Sequence, residues 1–196
     1  MLFSAGSDRE IRRWVISADA AREDKSEGYP VLAHETSVDA LRFDADGDLW
    51  SASADKAVKC LSRARAWEPD TELEHPDYAR DVVVDEVGGW VVTACRDEEV
   101  RVWERGSGRL HHVFEGHYEE VTGLVGLGGQ RVVSVGIDGT VRVWGLKGEE
   151  LERARREAEE ERSGAGKEKE VVEEKKEGVM TADEEAELAA LMEDSE

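Results

Sequence analysis

The sequence predicts an all-β fold, a partial β-propeller of about three and a half four-stranded blades in an open arc, followed by a charged α-helical and disordered C-terminal tail. Three observations predict it. Four segments repeat, LFSAGSDREIRRW, LWSASADKAVKCL, WVVTACRDEEVRVW and RVVSVGIDGTVRVW, and their aspartates are 47, 42 and 41 residues apart. Each repeat reads as short runs of alternating apolar and polar residues, with a turn signal every ~8–12 residues. After Trp144 the pattern stops, and Glu149 to Arg162 contains neither Gly nor Pro.

Residues 1–148 form the repeat region, with blades at about 1–33, 34–74, 75–116 and 117–146. Blade one offers three strands, near Leu2, Arg12 and Val31, and lacks its innermost strand. In blade two, Val38 to Phe43 alternates apolar and polar, Asp44 to Gly47 is a turn, and strands follow at Leu49–Ser53 and Ala57–Leu61. Blade three repeats this with Val82 to Val84, a turn at Glu86 to Gly89, then Trp90–Cys95 and Val100–Trp103. Blades two and three have room for four strands each. Blade four has three, at Val121, Arg131 and Val141, and lacks the outermost.

Fixed offsets tie the repeats together. A Ser or Thr stands four residues before each Asp: Ser4/Asp8, Ser51/Asp55, Thr93/Asp97 and Ser134/Asp138. A large apolar residue stands six after it: Trp14, Leu61, Trp103 and Trp144. In the last three repeats a His precedes the Asp by 21 or 22 residues: His34, His75 and His117. This pattern resembles the tryptophan–aspartate (WD) repeat family over roughly residues 1–146. The resemblance implies a hydrogen-bonded chain within each blade, in which Trp103 donates to Thr93, Thr93 to His75, and His75 to Asp97. Trp144, Ser134, His117 and Asp138 are expected to repeat it. Such a chain suits the residue types, since a buried indole N–H needs an acceptor and a buried carboxylate needs donors. The departures are Leu61 in place of Trp, so that Ser51 lacks an indole partner, and no Asp after any Trp position.

Composition limits function. The chain has 26 Lys+Arg against 47 Asp+Glu, a net charge of −21. Residues 149–196 hold 19 acids and 8 bases, net −11, which leaves −10 for the first 148. Nucleic acid and anionic membranes require clustered bases, so neither is expected as a partner. Apolar runs fall far short of a membrane span, and the N-terminal stretch has no signal-peptide core. The expected location is intracellular, in cytoplasm or nucleus. Cys60 and Cys95 lie 35 residues apart outside any CxxC pair, which excludes a disulfide scaffold and a Cys-based zinc site. They are expected to be reduced and buried.

No enzyme, metal or cofactor is expected. His, Ser and Asp together invite a hydrolase reading, but a trio repeated in every blade and blocked by Trp is a folding device. His111 and His112 are adjacent on a strand and point to opposite faces, so they cannot share an ion. Gly126, Gly128 and Gly129 fall in an expected turn with no helix after it, which does not make a phosphate loop. The expected function is a non-catalytic protein-interaction scaffold, the C-terminal half of a larger propeller. Its partners are other proteins, with self-association through open blade edges. By resemblance, the face carrying the His and Asp turns is the contact surface. Candidates there are Tyr78, Arg80, Arg96, Tyr118 and Ile137, since Tyr and Arg dominate interface hot spots. An alternative is a substrate receptor of a cullin-type ubiquitin ligase. The Val91–Gly106 segment resembles the start of that family's longer signature, but carries Cys95 and Gly106 at two of its places. The fourth copy has Lys147 at the basic place, but Gly145 instead of the acid breaks that match too.

The tail divides into three. Residues 149–162 read as a charged, solvated helix supported by Glu149/Arg153, Glu152/Arg156 and Arg155/Glu159. Residues 163–180 read as a disordered linker. Residues 181–192 open on a capping box and read as a short acidic amphipathic helix with Leu188, Leu191 and Met192 on its apolar edge.

Overall fold

A computed structural model describes residues 1–26, 29–128, 130–157 and 159. It contains four antiparallel sheets in sequence order. β1 (Leu2–Ser4), β2 (Arg12–Ile16) and β3 (Ala21–Glu23) form the first. β4 (Val38–Phe43), β5 (Leu49–Ser53), β6 (Ala57–Ser62) and β7 (Glu68–Glu74) form the second. β8 (Ala79–Asp85), β9 (Trp90–Cys95), β10 (Val100–Glu104) and β11 (Leu110–Phe114) form the third. β12 (Val121–Leu127), β13 (Arg131–Gly136) and β14 (Val141–Gly145) form the fourth. Within each sheet the strands lie in chain order, as an up-and-down meander. This is an open arc of about three and a half propeller blades.

Two details differ from the sequence reading. Val31 is not the third strand of blade one. It exchanges backbone hydrogen bonds with Ile11 as an isolated bridge, while the polar triplet Ala21–Glu23 pairs with β2. Apolar periodicity could not find a strand this short and polar. Gly126 is not in a turn but inside β12, where an added Cβ would sit 3.2 Å from Val83 of β8. Its role is close approach between blades.

The core lies between blades rather than within them. Trp50, Ala52, Val58, Cys60 and Leu73 of blade two pack with Ala79, Val82, Val91 and Trp103 of blade three. Ile11 and Val31 of blade one pack with Val38, Leu49, Leu61 and Trp67 of blade two, with Phe3 and Ala5 against them. Trp67 reaches this core because Ala66 and Trp67 both adopt left-handed backbone, at φ 55° and 69°, after a 3-10 turn at Arg63–Arg65. Its ring meets Phe3 edge-on, 4.8 Å between centroids. An aromatic from the loop thus fills space where Leu61 replaces the repeat's Trp.

Ion pairs fasten neighbouring blades at both rims. Arg80 of β8 binds Asp39 of β4 at 2.7 Å and also Glu120, which precedes β12. At the other rim Arg105 binds Asp44 at 3.0 Å, Glu86 at 2.6 Å, and Asp46. Asp81, buried in β8, accepts the Leu124 N–H of β12 at 2.9 Å and faces Arg42 of β4. A buried carboxylate that serves two neighbours fixes their spacing.

After β14 a helix, α1, covers residues 148–157. It is not solvated all round, because Leu151 is fully buried and Leu146 just before it is nearly so. The apolar stripe therefore anchors the first turn. The expected linker at 163–180 and the helix at 181–192, with Leu188, Leu191 and Met192, lie outside the described residues. No described helix is long and apolar enough to cross a membrane.

Candidate functional site

The repeated polar residues build the turns of one rim. In all four blades the residue after the Asp takes left-handed backbone: Arg9, Lys56, Glu98 and Gly139, at φ 59°, 72°, 75° and 73°. The carboxylate then accepts the N–H two residues on, from Glu10, Ala57, Glu99 and Thr140. This is an Asx turn, which explains why Asp stands there in every repeat.

Blade four carries the full polar chain. Trp144 Nε1–H donates to Ser134 Oγ at 2.8 Å. The Ser134 hydroxyl lies 2.7 Å from His117 Nε2, and His117 Nδ1 lies 3.0 Å from Asp138. Asp138 also accepts the backbone N–H of Tyr118 at 3.1 Å. Burial works to raise this carboxyl, but the donors of Thr140, Tyr118 and His117 outweigh it and hold it well below the usual carboxylate range. The site is tight. A Cβ at Gly136 would come within 2.9 Å of both His117 Nδ1 and Asp138.

Blade two keeps the imidazole links without an indole. His34 bridges Ser51 at 2.8 Å and Asp55 at 2.9 Å, and Asp55 accepts the Glu35 N–H at 2.9 Å. Burial pushes the His34 imidazole down against the pull of Asp55. Burial likewise works to raise Asp55, but the Glu35 N–H and His34 outweigh it and lower its carboxyl. Blade one retains Trp14 donating to Ser4 at 2.8 Å, and Asp8 pairs with Arg12 at 2.5 Å.

Blade three departs from the expected chain. Trp103 donates to Thr93 at 2.9 Å and Thr93 meets His75 Nε2 at 2.7 Å. His75 Nδ1–H, however, donates to the Leu73 carbonyl at 3.0 Å, not to Asp97. Asp97 instead holds Arg101 through two bonds of 3.0 and 2.6 Å. The residue after the His explains the difference. In blades two and four its N–H joins the imidazole in binding the Asp. In blade three it is Pro76, which has no N–H. Arg101 takes the vacated carboxylate, while the Cys95 thiol donates to the Asp77 carbonyl at 3.3 Å. Burial works to raise Asp97, and its donors, Arg101 foremost, outweigh it and lower the carboxyl. Lacking a carboxylate partner, His75 is pushed by burial down to about 4.

None of this forms a reachable nucleophile. Ser51, Thr93 and Ser134 are fully buried, and each hydroxyl is occupied by its blade. The two cysteines are buried as free thiols, and burial pushes Cys60 up to about 12 and Cys95 to about 11. His112 is buried beside Phe114, whereas His111 packs on Trp90.

The five candidate contact residues fall into two pairs and a clamp. Arg96 donates its N–H to the Tyr78 carbonyl and lays its guanidinium 5.1 Å from the Tyr78 ring centre. Tyr118 is 75% exposed, with Arg142 beside its ring, and Ile137 is 62% exposed. Arg80 is committed to Asp39 and Glu120, so it holds blades together instead of facing a partner. The same loops expose Glu35, Glu98, Glu115 and Glu119. The opposite rim has a cavity of about 360 Å³ lined by Met1, Phe3, Phe43, Gly47, Arg63 and Trp67. Sequence reasoning missed it, because its aromatics come from two blades and a strained loop.

Comparison with known proteins agrees with this geometry. The family description "WD domain, G-beta repeat" matches residues 108–145. An uncharacterized WD repeat-containing protein of Schizosaccharomyces pombe is 36% identical over 149 residues, covering 75% of this chain and 39% of that protein. A chromatin assembly factor 1 subunit FAS2 homolog of Oryza sativa is 27% identical over 161 residues, covering 74% of this chain and 31% of that one. The chain thus spans well under half of these relatives. Among solved structures, the computationally designed Ika4 protein superposes with TM-score 0.59 at 27% identity, covering 74% of this chain and 84% of Ika4. The WD40 propeller domain of Doa1 superposes with TM-score 0.62 at 20% identity, covering 74% of this chain and 47% of that one.

Proposed function

The chain belongs to the WD-repeat β-propeller family, and from that premise we propose that it is a non-catalytic scaffold that binds other proteins through the rim carrying the His and Asp turns. One observation carries this reading. Tyr118 and Ile137 stand exposed on loops whose neighbours, His117 and Asp138, are locked into the blade. A rigid platform that presents apolar and aromatic side chains loses little entropy on binding. Tyr78 and Arg96 extend the surface in blade three. The exposed glutamates favour a partner that brings basic residues to the rim of the contact. On the same reading, residues 1–146 are the C-terminal half of a larger ring. Supporting this are the three-stranded first and fourth sheets and the share of each relative that the chain spans.

The test is affinity capture from lysate with the wild-type chain and a Tyr118→Ala/Ile137→Ser variant. The variant is expected to melt at the wild-type temperature and to lose co-purifying proteins. Unchanged capture would refute the assignment of this rim. Cullin adaptors in the eluate would support a ligase-receptor role instead.

A further inference from the structure

Among the described residues nothing covers one face of the fourth sheet, and the repeat shows what covers such a face. Cross-strand pairing sets Val125, Val133 and Val143 in one row and Gly123, Val135 and Val141 in the next. Val125, Val141 and Val143 are 60%, 68% and 57% exposed. Counted from the buried Ser or Thr, Val133, Val135, Val141 and Val143 stand where blade three has Val92, Ala94, Val100 and Val102. Blade two has Trp50, Ala52, Val58 and Cys60 at those places. All eight of these counterparts are buried. In blade two the cover is the next blade, through Ala79, Val82, Val91 and Trp103.

The first sheet presents a partial version of that cover. Leu2 and Trp14 pair across β1 and β2, and they hold the places of Val91 and Trp103. Leu2 is 50% exposed, and Ile16, next on the same side of β2, is 57% exposed. One end of the arc therefore exposes the face that a blade receives, and the other exposes the face that a blade offers.

We infer that the Val125/Val133/Val135/Val141/Val143 face is a docking surface for blade one of a second copy of this chain, packed head to tail. This rests on the reading of the arc as part of a larger ring and names the surface and its occupant. Two copies would make two such junctions and close a ring of eight sheets, within the usual range for propellers. Heterologous contacts of this kind form rings when the rotation closes and filaments when it does not.

The experiment measures mass in solution, by sedimentation and light scattering, for the full chain at tens of micromolar. The wild type is expected at twice its 21.8 kDa monomer mass. Val143→Lys and Ile16→Lys should each be monomeric. Their equimolar mixture should recover the double mass, because one junction in the mixed pair is intact. Far-UV circular dichroism checks that each variant keeps its β signal, and the milder Val143→Thr should weaken the dimer without touching the fold. A monomeric wild type overturns the proposal, as do masses beyond a dimer. If Val143→Lys is monomeric while Ile16→Lys stays dimeric, the copies pair face to face and the head-to-tail junction is wrong. A monomer that still captures partners through Tyr118 removes the ring and leaves the binding rim standing.

Discussion

Blades three and four begin their polar chains alike and end them differently. Both run from an indole through a hydroxyl to an imidazole. In blade four the imidazole passes on to Asp138, which Tyr118 also binds through its backbone. In blade three the imidazole turns to the Leu73 carbonyl, and Asp97 belongs to Arg101. The indole–hydroxyl–imidazole part is thus the common device, and the carboxylate's partner is negotiable. The Asp keeps its turn in every blade because the Asx geometry needs only its own backbone neighbours. Whether it also binds the His depends on one N–H, which Pro76 removes.

The hydroxyl is the hub of the common part, so its loss should have the largest effect. Thr93→Val keeps the shape but orphans the Trp103 indole and the His75 ring at once. We expect a loss of about 3 kcal/mol, read from denaturant unfolding. Thr93→Ser should recover most of it. A loss below about 1 kcal/mol would mean that the chain is ornament rather than structure.

Acid should separate blade three through His75. Its folded-state value is about 4, below the ordinary 6.5. The unfolded chain therefore takes the proton first, and the stabilisation is complete above 6.5 and lost as the pH falls towards 4. Integrated over that window it amounts to about 3 kcal/mol. Carboxylates lose their own contribution at lower pH, so the readout is a difference. Wild type should lose stability more steeply than His75→Gln between these limits. Parallel curves would contradict a neutral, desolvated His75.

Pro76→Ala restores the missing donor and sharpens the comparison. The new N–H should bind Asp97, and His75 Nδ1–H should move from the Leu73 carbonyl towards the carboxylate. Stability should change by less than about 1 kcal/mol, since Pro also restrains the unfolded chain. The imidazole nitrogen shifts in an NMR spectrum report the change of partner directly. The smallest expected effect is at the turn. Glu98 holds φ 75° where blade four has Gly139, so Glu98→Gly should stabilise by under about 1 kcal/mol.

Much of this molecule was legible in its residues. The repeat period and the Ser/Thr–Asp–Trp spacing located eleven of the fourteen described strands and left room for the outer strands β7 and β11. The exception was β3, whose Ala-Arg-Glu carries no apolar alternation. Buried Ser51, Thr93, Ser134, His34, His75 and His117 followed from the same spacing. The His75–Asp97 break did not, although its cause is printed in the sequence as Pro76. A prolyl residue matters there only once the neighbouring blades show that the N–H at that place is used. The ion pairs of Arg80 and Arg105 were hidden for a different reason. Apart from Glu86, their partners lie about 40 to 60 residues away on other blades, and only the arc brings them together.

A side-by-side comparison of His117→Ala and Tyr118→Ala tests the central claim most directly, that the polar chain builds the platform and the exposed loop residues do the binding. Melting temperature and affinity for a captured partner are measured on the same samples. His117→Ala should lower stability by about 1–3 kcal/mol and leave the affinity of the folded fraction unchanged. Tyr118→Ala should leave the melting temperature unchanged and weaken binding. If His117→Ala melted like wild type yet abolished binding or any activity, the chain of indole, hydroxyl and imidazole would be a functional site and the account would be wrong.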